Sequence, residues 1–327
     1  MKQKELNYKR LLFKIGPVLA LIMLCILWTI MNPSFLTYDN LTNILRQASI
    51  NCLLASGMLV VILTGGIDLS VGSILGLSIC SMGLALKLGI TSPLILALIC
   101  LIVGAILGLL NGLMLTVMKL PHPFISTLGM QNAARGLALI VTAGIPISGF
   151  PEILQFPGYA SFNGLPISFF IVLIVFGIFH IFLNKTALGR QIYSIGGNAE
   201  AARLAGINTK WVLTFVYILS GVMAAFAGLI FIGRLNTAPP LAGTGYDLDA
   251  IAACIIGGAS FSGGRGTIWG TLTGCMMIAV IRNGLNLVHA SSDLQMVIIG
   301  LIIVLAVFID VVRSSYEKKA KRLEMQK

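Results

Sequence analysis

Apolar runs of helical length, separated by short polar breaks, make up most of the chain. A helix rises 1.5 Å per residue and bilayer hydrocarbon is about 30 Å thick, so a crossing takes roughly 20 apolar residues. On that ruler ten segments stand out: 14–32, 41–64, 70–88, 93–118, 124–142, 165–184, 210–232, 246–262, 267–288 and 294–312. Only Thr64-Gly65-Gly66-Ile67-Asp68 separates the second from the third, and the eighth is short and broken by glycine. The pattern predicts an all-α polytopic membrane protein with about ten transmembrane helices. A cytoplasmic segment over 1–13 leads into a single membrane domain over 14–312, and a basic tail follows over 313–327.

Ten crossings put both termini on one side, and the basic residues choose the side. With the N-terminus inside, the inner segments hold Lys2, Lys4, Lys9, Arg10 and Lys14, then Lys119, then Lys185, Arg190, Arg203 and Lys210. Arg265 follows, and the tail adds six more from Arg313 to Lys327. Seventeen of the 22 basic residues thus fall inside, against Lys87 and Arg234 outside. That satisfies the positive-inside rule and predicts both termini in the cytoplasm. Arg46, Arg135 and Arg282 are left within crossings.

Two loops exceed a simple turn. The outer stretch 143–164, rich in Gly, Pro and aromatics, predicts a surface cap carrying a short helix. The inner stretch 185–210 is too structured for a linker. Asn198 is an N-cap before Ala199–Ala205 and Gly206 a terminator, so a helix of about two turns is predicted along the inner surface.

Composition agrees with this picture and closes others. Of 327 residues, 57% are apolar and 10% charged, against about 25% charged in a soluble domain. Too few polar residues remain to cover a soluble enzyme's surface. The net charge of +11 raises the question of nucleic acid, but such a footprint needs clustered Lys and Arg on one solvated face. Here apolar runs separate them, so no nucleic-acid partner is expected. The six cysteines form no C-x-x-C pair and lie in apolar runs; they read as small hydrophobes, with no metal or cofactor. A cleavable signal peptide is not expected, because no A-x-A site closes the apolar run Ile15–Ile30.

A ten-span protein moves something, so energy coupling comes next. No G-x-x-x-x-G-K-[ST] phosphate loop exists; the glycines from Gly257-Gly258 to Gly266 lack the Lys-Ser/Thr and read as a tight turn with close helix approach. Ion-driven carriers need mid-membrane ionisable relays. Asp68, Asp247, Asp249 and Asp310 all sit near helix ends, and His180 stands alone. The remaining polar residues fall in groups: Arg46, Gln47 and Asn51; Asn111; Gln131, Asn132 and Arg135; Arg282, Asn283 and Asn286. Helical spacing puts each group on one face, and the cost of lipid exposure turns that face inward. Two readings stay open: structural bonds between helices, or a wet passage for a neutral hydroxylated solute. On the second, Gln47, Asn51, Asn111, Gln131, Asn132, Arg135, Asn283 and Asn286 line the translocation pathway.

The inner loop carries the most specific signal. Glu200-Ala201-Ala202-Arg203-Leu204-Ala205-Gly206 reads E-A-A-x-x-x-G, and at this point the chain resembles permease subunits of ATP-binding-cassette importers. Further strings resemble the ribose-type branch of sugar permeases. They are Val61 to Gly72 (VILTGGIDLSVG), Phe124 to Gly129 (FISTLG), Leu188-Gly189-Arg190 with Gly196-Gly197-Asn198, and Ala242 to Ala253 (AGTGYDLDAIAA). Gly257-Gly258 through Gly266 and Asn283 to Leu287 (NGLNL) complete the series, which covers 61–287 in order. One departure is Cys254-Ile255-Ile256, where a short aliphatic pair is expected.

The resemblance implies a type II importer-like permease fold in a bacterial inner membrane, paired with a second copy or a paralogue. It implies separate ATPase subunits below, a periplasmic or lipid-anchored sugar-binding protein above, and no enzyme activity in this chain. Gly189, Arg190, Asn198, Glu200, Ala201, Ala202 and Gly206 would then couple to the ATPase. Gly65, Gly66, Gly257 and Gly258 would serve packing or gating. The alternative is a stand-alone ion-coupled carrier or channel for a small neutral polar solute.

Overall fold

The computed structural model describes residues 2–325, with side chains described over 16–312. Each of the ten predicted segments is helical: α1 (Lys2–Met31), α2 (Tyr38–Leu63), α3 (Val71–Lys87), α4 (Pro93–Thr116) and α5 (Pro123–Thr142) precede the long cap loop. After α6 (Glu152–Tyr159) within that loop come α7 (Ile167–Lys185), α8 (Ala187–Gly197), α9 (Ala199–Leu204), α10 (Thr209–Leu235), α11 (Tyr246–Ile256), α12 (Ile268–Leu287) and α13 (Ser292–Met325). Six of them, α2, α4, α7, α10, α12 and α13, are long and apolar enough to cross a bilayer. The apolar parts of α1 and α3 are shorter, and α5 dilutes its 20 residues with Gln131, Asn132 and Arg135.

The eighth segment departs from expectation. Its helix has 11 residues, about 16 Å at 1.5 Å per residue, and stops at Ile256 rather than running to 262. Gly257 and Gly258 end it, Gly258 at φ +93°, and the chain continues to Thr267 without helix. At the two ends, α1 already begins at Lys2 and α13 continues to Met325, so the segments 1–13 and 313–327 are helical extensions as far as they are described.

α2 is the axis of the bundle: 78% of its apolar window is buried, against 17% for α13. α10 and α12 pack on it, while α4, α7 and α13 turn apolar faces such as Leu98, Ile102 and Ile106 outward, as a lipid-facing layer must. The tightest helix pair is α4 on α10. Gly104, Gly108 and Gly112 form one stripe at four-residue spacing, and a Cβ on Gly104 would lie 2.4 Å from the Gly221 carbonyl oxygen. Where lipid offers no hydrophobic drive for association, such close backbone approach supplies the contact.

The loop 143–164 folds into a cap. Its α6 presses Gly158 onto Gly233 at the end of α10. Ile147–Ser148 (β1) pairs antiparallel with Thr237–Ala238 (β4), and Ser161–Phe162 (β2) with Leu165–Pro166 (β3) through an Asn163-Gly164 turn, both residues at positive φ. The opposite end of the bundle carries α8 and α9. These are called the cap end and the loop end below.

Candidate functional site

Two stretches of irregular backbone run inside the bundle, and the start of α3 links them. The first, 64–70, follows α2, which ends where Gly65 takes φ +82°. Asp68 is fully buried there, and its carboxylate accepts from the Ser70 amide (3.0 Å), the Ser70 hydroxyl (2.5 Å) and the Ser220 hydroxyl of α10 (2.8 Å). Asn111 of α4 donates to the Ser70 hydroxyl at 2.8 Å, and the Ile67 carbonyl accepts from Thr127 (3.3 Å) and Tyr217 (3.4 Å). The Ile67 carbonyl, which a helix would have paired internally, is thus satisfied by α5 and α10, and the Ser70 amide by Asp68.

The second stretch, 236–245, leaves α10 at Asn236 and enters α11 through Gly243 and Gly245, both at positive φ. Arg135 Nη1 donates to the carbonyls of Pro240 (2.9 Å) and Ala242 (2.6 Å), and Gln131 donates to Asp247 at 3.4 Å. The start of α3 meets this stretch at Gly72 and Gly243, where a Cβ on either would fall within 2.3 Å of the other's carbonyl oxygen. Irregular backbone away from water is tolerated only when protein satisfies it, and Arg135, Thr127 and Tyr217 do so.

Near the cap end, polar side chains from α2, α10, α11, α12 and α13 surround a cavity of about 200 Å³. Arg282 donates two bonds to Asp249, from Nε at 2.9 Å and from Nη2 at 2.8 Å, the fork-to-carboxylate geometry that only Arg provides. Gln47 and Asn51 line the α2 side and Asn286, bonded to Gln295 at 2.8 Å, the α12 side. Arg234 and Tyr246 complete the wall.

At the loop end three close backbone contacts, each involving glycine, interlock. A Cβ on Gly196, at the end of α8, would lie 1.8 Å from the Leu63 carbonyl oxygen, which itself accepts from the Gly264 amide at 2.9 Å. A Cβ on Gly263 would lie 2.8 Å from the Gly65 amide nitrogen, and one on Gly264 2.9 Å from that of Gly197. Tyr193 of α8 donates to the Gly266 carbonyl at 2.8 Å, and burial pushes its phenol up, which keeps it a donor. Asn198 accepts from the Ala201 amide (3.0 Å) as the N-cap of α9, Ala202 is buried, and Gly206 leaves at φ +84°. Glu200 and Arg203 are exposed and paired at 2.6 Å; Arg190 is also exposed. Gly189 sits against the carbonyls of Phe182 and Leu183, so a Cβ there would lie 2.4 Å from each oxygen.

The proposed pathway residues thus separate. Gln47, Asn51 and Asn286 share the cavity, whereas Gln131 and Arg135 hold the second irregular stretch and Asn111 the first. Asn283 exchanges two amide bonds with Asn40 (2.9 and 2.7 Å), and Asn132 is exposed with its amide turned back to the Leu128 carbonyl. Of the glycines, Gly65 lies in the interlocked contacts, Gly66 under Tyr217, and Gly257 against Gly270. Gly258 borders an apolar crevice of about 470 Å³ between α1, α11, α12 and α13. Sequence reading missed α8, although Thr186 caps it through the Gly189 amide (3.1 Å) and Ile192 and Ile195 repeat at helical spacing. It also missed the pairing of Asp249 with Arg282, because 33 residues separate them and nothing local links the two.

A mainly helical chain with six apolar crossing-length helices, irregular stretches satisfied from within and no appended soluble domain among the described residues defines a polytopic membrane transport protein. Comparison with known proteins places it. Residues 40–307 match the family described as branched-chain amino acid transport system / permease component, and the chain belongs to that family. It is 45% identical over 311 residues to the ribose import permease protein RbsC of Bacillus subtilis, covering 94% of this chain and 96% of that protein. The RbsC of Escherichia coli K12 is 42% identical over 298 residues (90% and 92%). The D-allose transport system permease protein AlsC of Escherichia coli K12 is 37% identical over 312 residues (94% and 95%). No solved structure matches the chain. The chain is a permease component of a transport system and a multi-pass protein of the bacterial inner membrane.

Proposed function

We propose that the chain is the membrane-spanning subunit of an ATP-driven importer for a monosaccharide, ribose or a close relative. The supporting observation is end-to-end similarity to proteins named ribose import permeases, at 45% identity over 94% of the chain. On this reading the chain performs no chemistry of its own. Separate ATPase subunits dock at the loop end, a sugar-binding protein docks at the cap end, and a second copy or a paralogue completes the pair. The topology is ten membrane segments with both termini in the cytoplasm, α11 and the irregular backbone flanking it together making one passage through the bilayer. Gln47, Asn51, Asn111, Gln131, Asn132, Arg135, Asn283 and Asn286 are proposed along or beside the translocation route.

The mechanism is alternating access driven by a differential preference of the ATPase states for two arrangements of the bundle. The ATPase contact is proposed at Gly189, Arg190, Asn198, Glu200, Ala201, Ala202 and Gly206. Displacement of α8 and α9 passes through Gly196 to the end of α2 and to the 263–264 turn, because backbone packed on backbone has no slack to absorb it. From there it reaches both irregular stretches, with Gly65, Gly66, Gly257 and Gly258 as the points of close approach or bending.

The test is uptake of labelled ribose into vesicles containing this chain, its ATPase subunits and its binding protein. ATP-dependent accumulation is expected, and Gly206→Val is expected to abolish accumulation while the ATPase still co-purifies. Accumulation without ATP, or with a proton or sodium gradient alone, overturns the reading in favour of a stand-alone carrier.

A further inference from the structure

The cap-end cavity differs from the polar contacts described above. There Asp68 is taken up by three donors, Arg135 by two carbonyls, and Asn40 and Asn283 by each other. Around the cavity, Gln47 and Tyr246 make no side-chain hydrogen bond to protein, and their polar atoms are not among the enclosed ones. Arg234 reaches only Asn43, at 3.4 Å. Beside them the Arg282–Asp249 fork fixes one wall.

We infer that this cavity is a binding site for one monosaccharide or similar-sized neutral polyol in each copy of the chain. This rests on the importer reading and deepens it. Size is the first argument. About 200 Å³ is more than ten times the roughly 10–15 Å³ that a cavity needs to hold one water, so there is room for a solute of many heavy atoms such as one sugar ring. The second is chemistry. Each sugar hydroxyl both donates and accepts, and so do the Gln47 amide and the Tyr246 phenol, whereas Arg and Asp edges bridge neighbouring hydroxyls. The third is charge. Asp249 neutralises Arg282 in place, which leaves Arg234 as a cation without a carboxylate among the described residues, a fork of N–H donors suited to the neighbouring hydroxyls of a sugar. A cationic solute would face Arg234 and Arg282 with only Asp249 to offset them.

Gln47→Leu is the sharpest probe, because it removes no hydrogen bond within the protein and keeps the side-chain size. The complex of this chain with its ATPase, in nanodiscs and without the binding protein, is titrated with ribose, with ribitol and with the sugar acid ribonate while saturation-transfer NMR follows bound ligand. Saturable binding is expected in the wild type, weakened at least tenfold by Gln47→Leu at an unchanged thermal midpoint. Tyr246→Phe is the second variant and is expected to weaken binding three- to tenfold. Uptake driven by a saturating binding protein should show the same order of loss. Equal binding in wild type and both variants, binding only of a sugar acid, or no saturable binding at all overturns the inference. In each of these cases normal ATP-driven uptake by the complete system still upholds the importer reading, so the two fail separately.

Discussion

The two ends of the bundle are held by opposite means. At the loop end, α8, the end of α2 and the turn after α11 meet backbone to backbone, with glycine wherever a side chain would collide. At the cap end, α2, α11 and α12 meet through long polar side chains that leave a cavity between them. Backbone contacts are short and stiff, so one end is suited to transmitting a displacement. Side chains of two to four torsions can change rotamer, so the other end is suited to accommodating a solute. The same helices run through both, which gives a single body a stiff handle and an adaptable mouth.

The largest effect that would break this contrast is expected at Gly196. Valine there would place its Cβ 1.8 Å from the Leu63 carbonyl oxygen and 2.4 Å from the Gly264 amide nitrogen. Overpacking a core costs about 1–3 kcal/mol when side chains can yield, and more when the obstacle is backbone. Loss of folded protein is expected, measured as yield and thermal midpoint in mild detergent. Gly197→Ala is the control, since nothing lies within 4 Å of its Cβ, and it should fold normally. If Gly196→Val also folds normally, the loop end is no stiffer than the cap end.

A smaller loss is expected at the cap end from Asp249→Asn. Removing one partner of a fully buried ion pair costs about 3–5 kcal/mol, but the Arg282 side chain is 33% exposed, so about 1–3 kcal/mol is expected. Combining it with Arg282→Gln should recover part of the loss, because the stranded charge goes with it. A double-mutant cycle on denaturation midpoints checks this. Full additivity would mean that the pair does not hold the cavity wall.

Much of this contrast could be read from the sequence, and the reason it stops is physical. Apolar run length located a helix within each of the ten segments, because a lipid-facing or core helix has no other way to satisfy its backbone. Asn198 and Gly206 marked α9 correctly, since capping is a property of neighbouring residues. The Gly104, Gly108 and Gly112 stripe was not among the expectations, because its spacing points to no partner. What stayed hidden is whatever depends on residues far apart in the chain: Gly196 against Leu63, Asp249 against Arg282, Arg135 against the carbonyls of 240 and 242. Length alone also misjudged 246–262, where glycine ends the helix halfway and irregular backbone takes over.

The smallest effects belong to α9, where two features compete to explain why so short a helix persists. Asn198 accepts from the Ala201 amide at 3.0 Å, and replacing an Asn cap by Ala costs about 1 kcal/mol. The Glu200–Arg203 pair, by contrast, is fully solvated on both sides. Arg203 holds the Glu200 carboxyl below its usual range, first by hydrogen bonding and then by charge. Whatever stability that gives is present above the ordinary glutamate pKa and is lost as pH falls through the lowered one. Hydrogen exchange of the α9 amides at neutral pH separates the two. Asn198→Ala should speed exchange about fivefold, as 1 kcal/mol implies, whereas Glu200→Gln should leave it unchanged at physiological salt. If Glu200→Gln has the larger effect, the ion pair holds α9, and the loop end depends on surface charge as well as on its glycines.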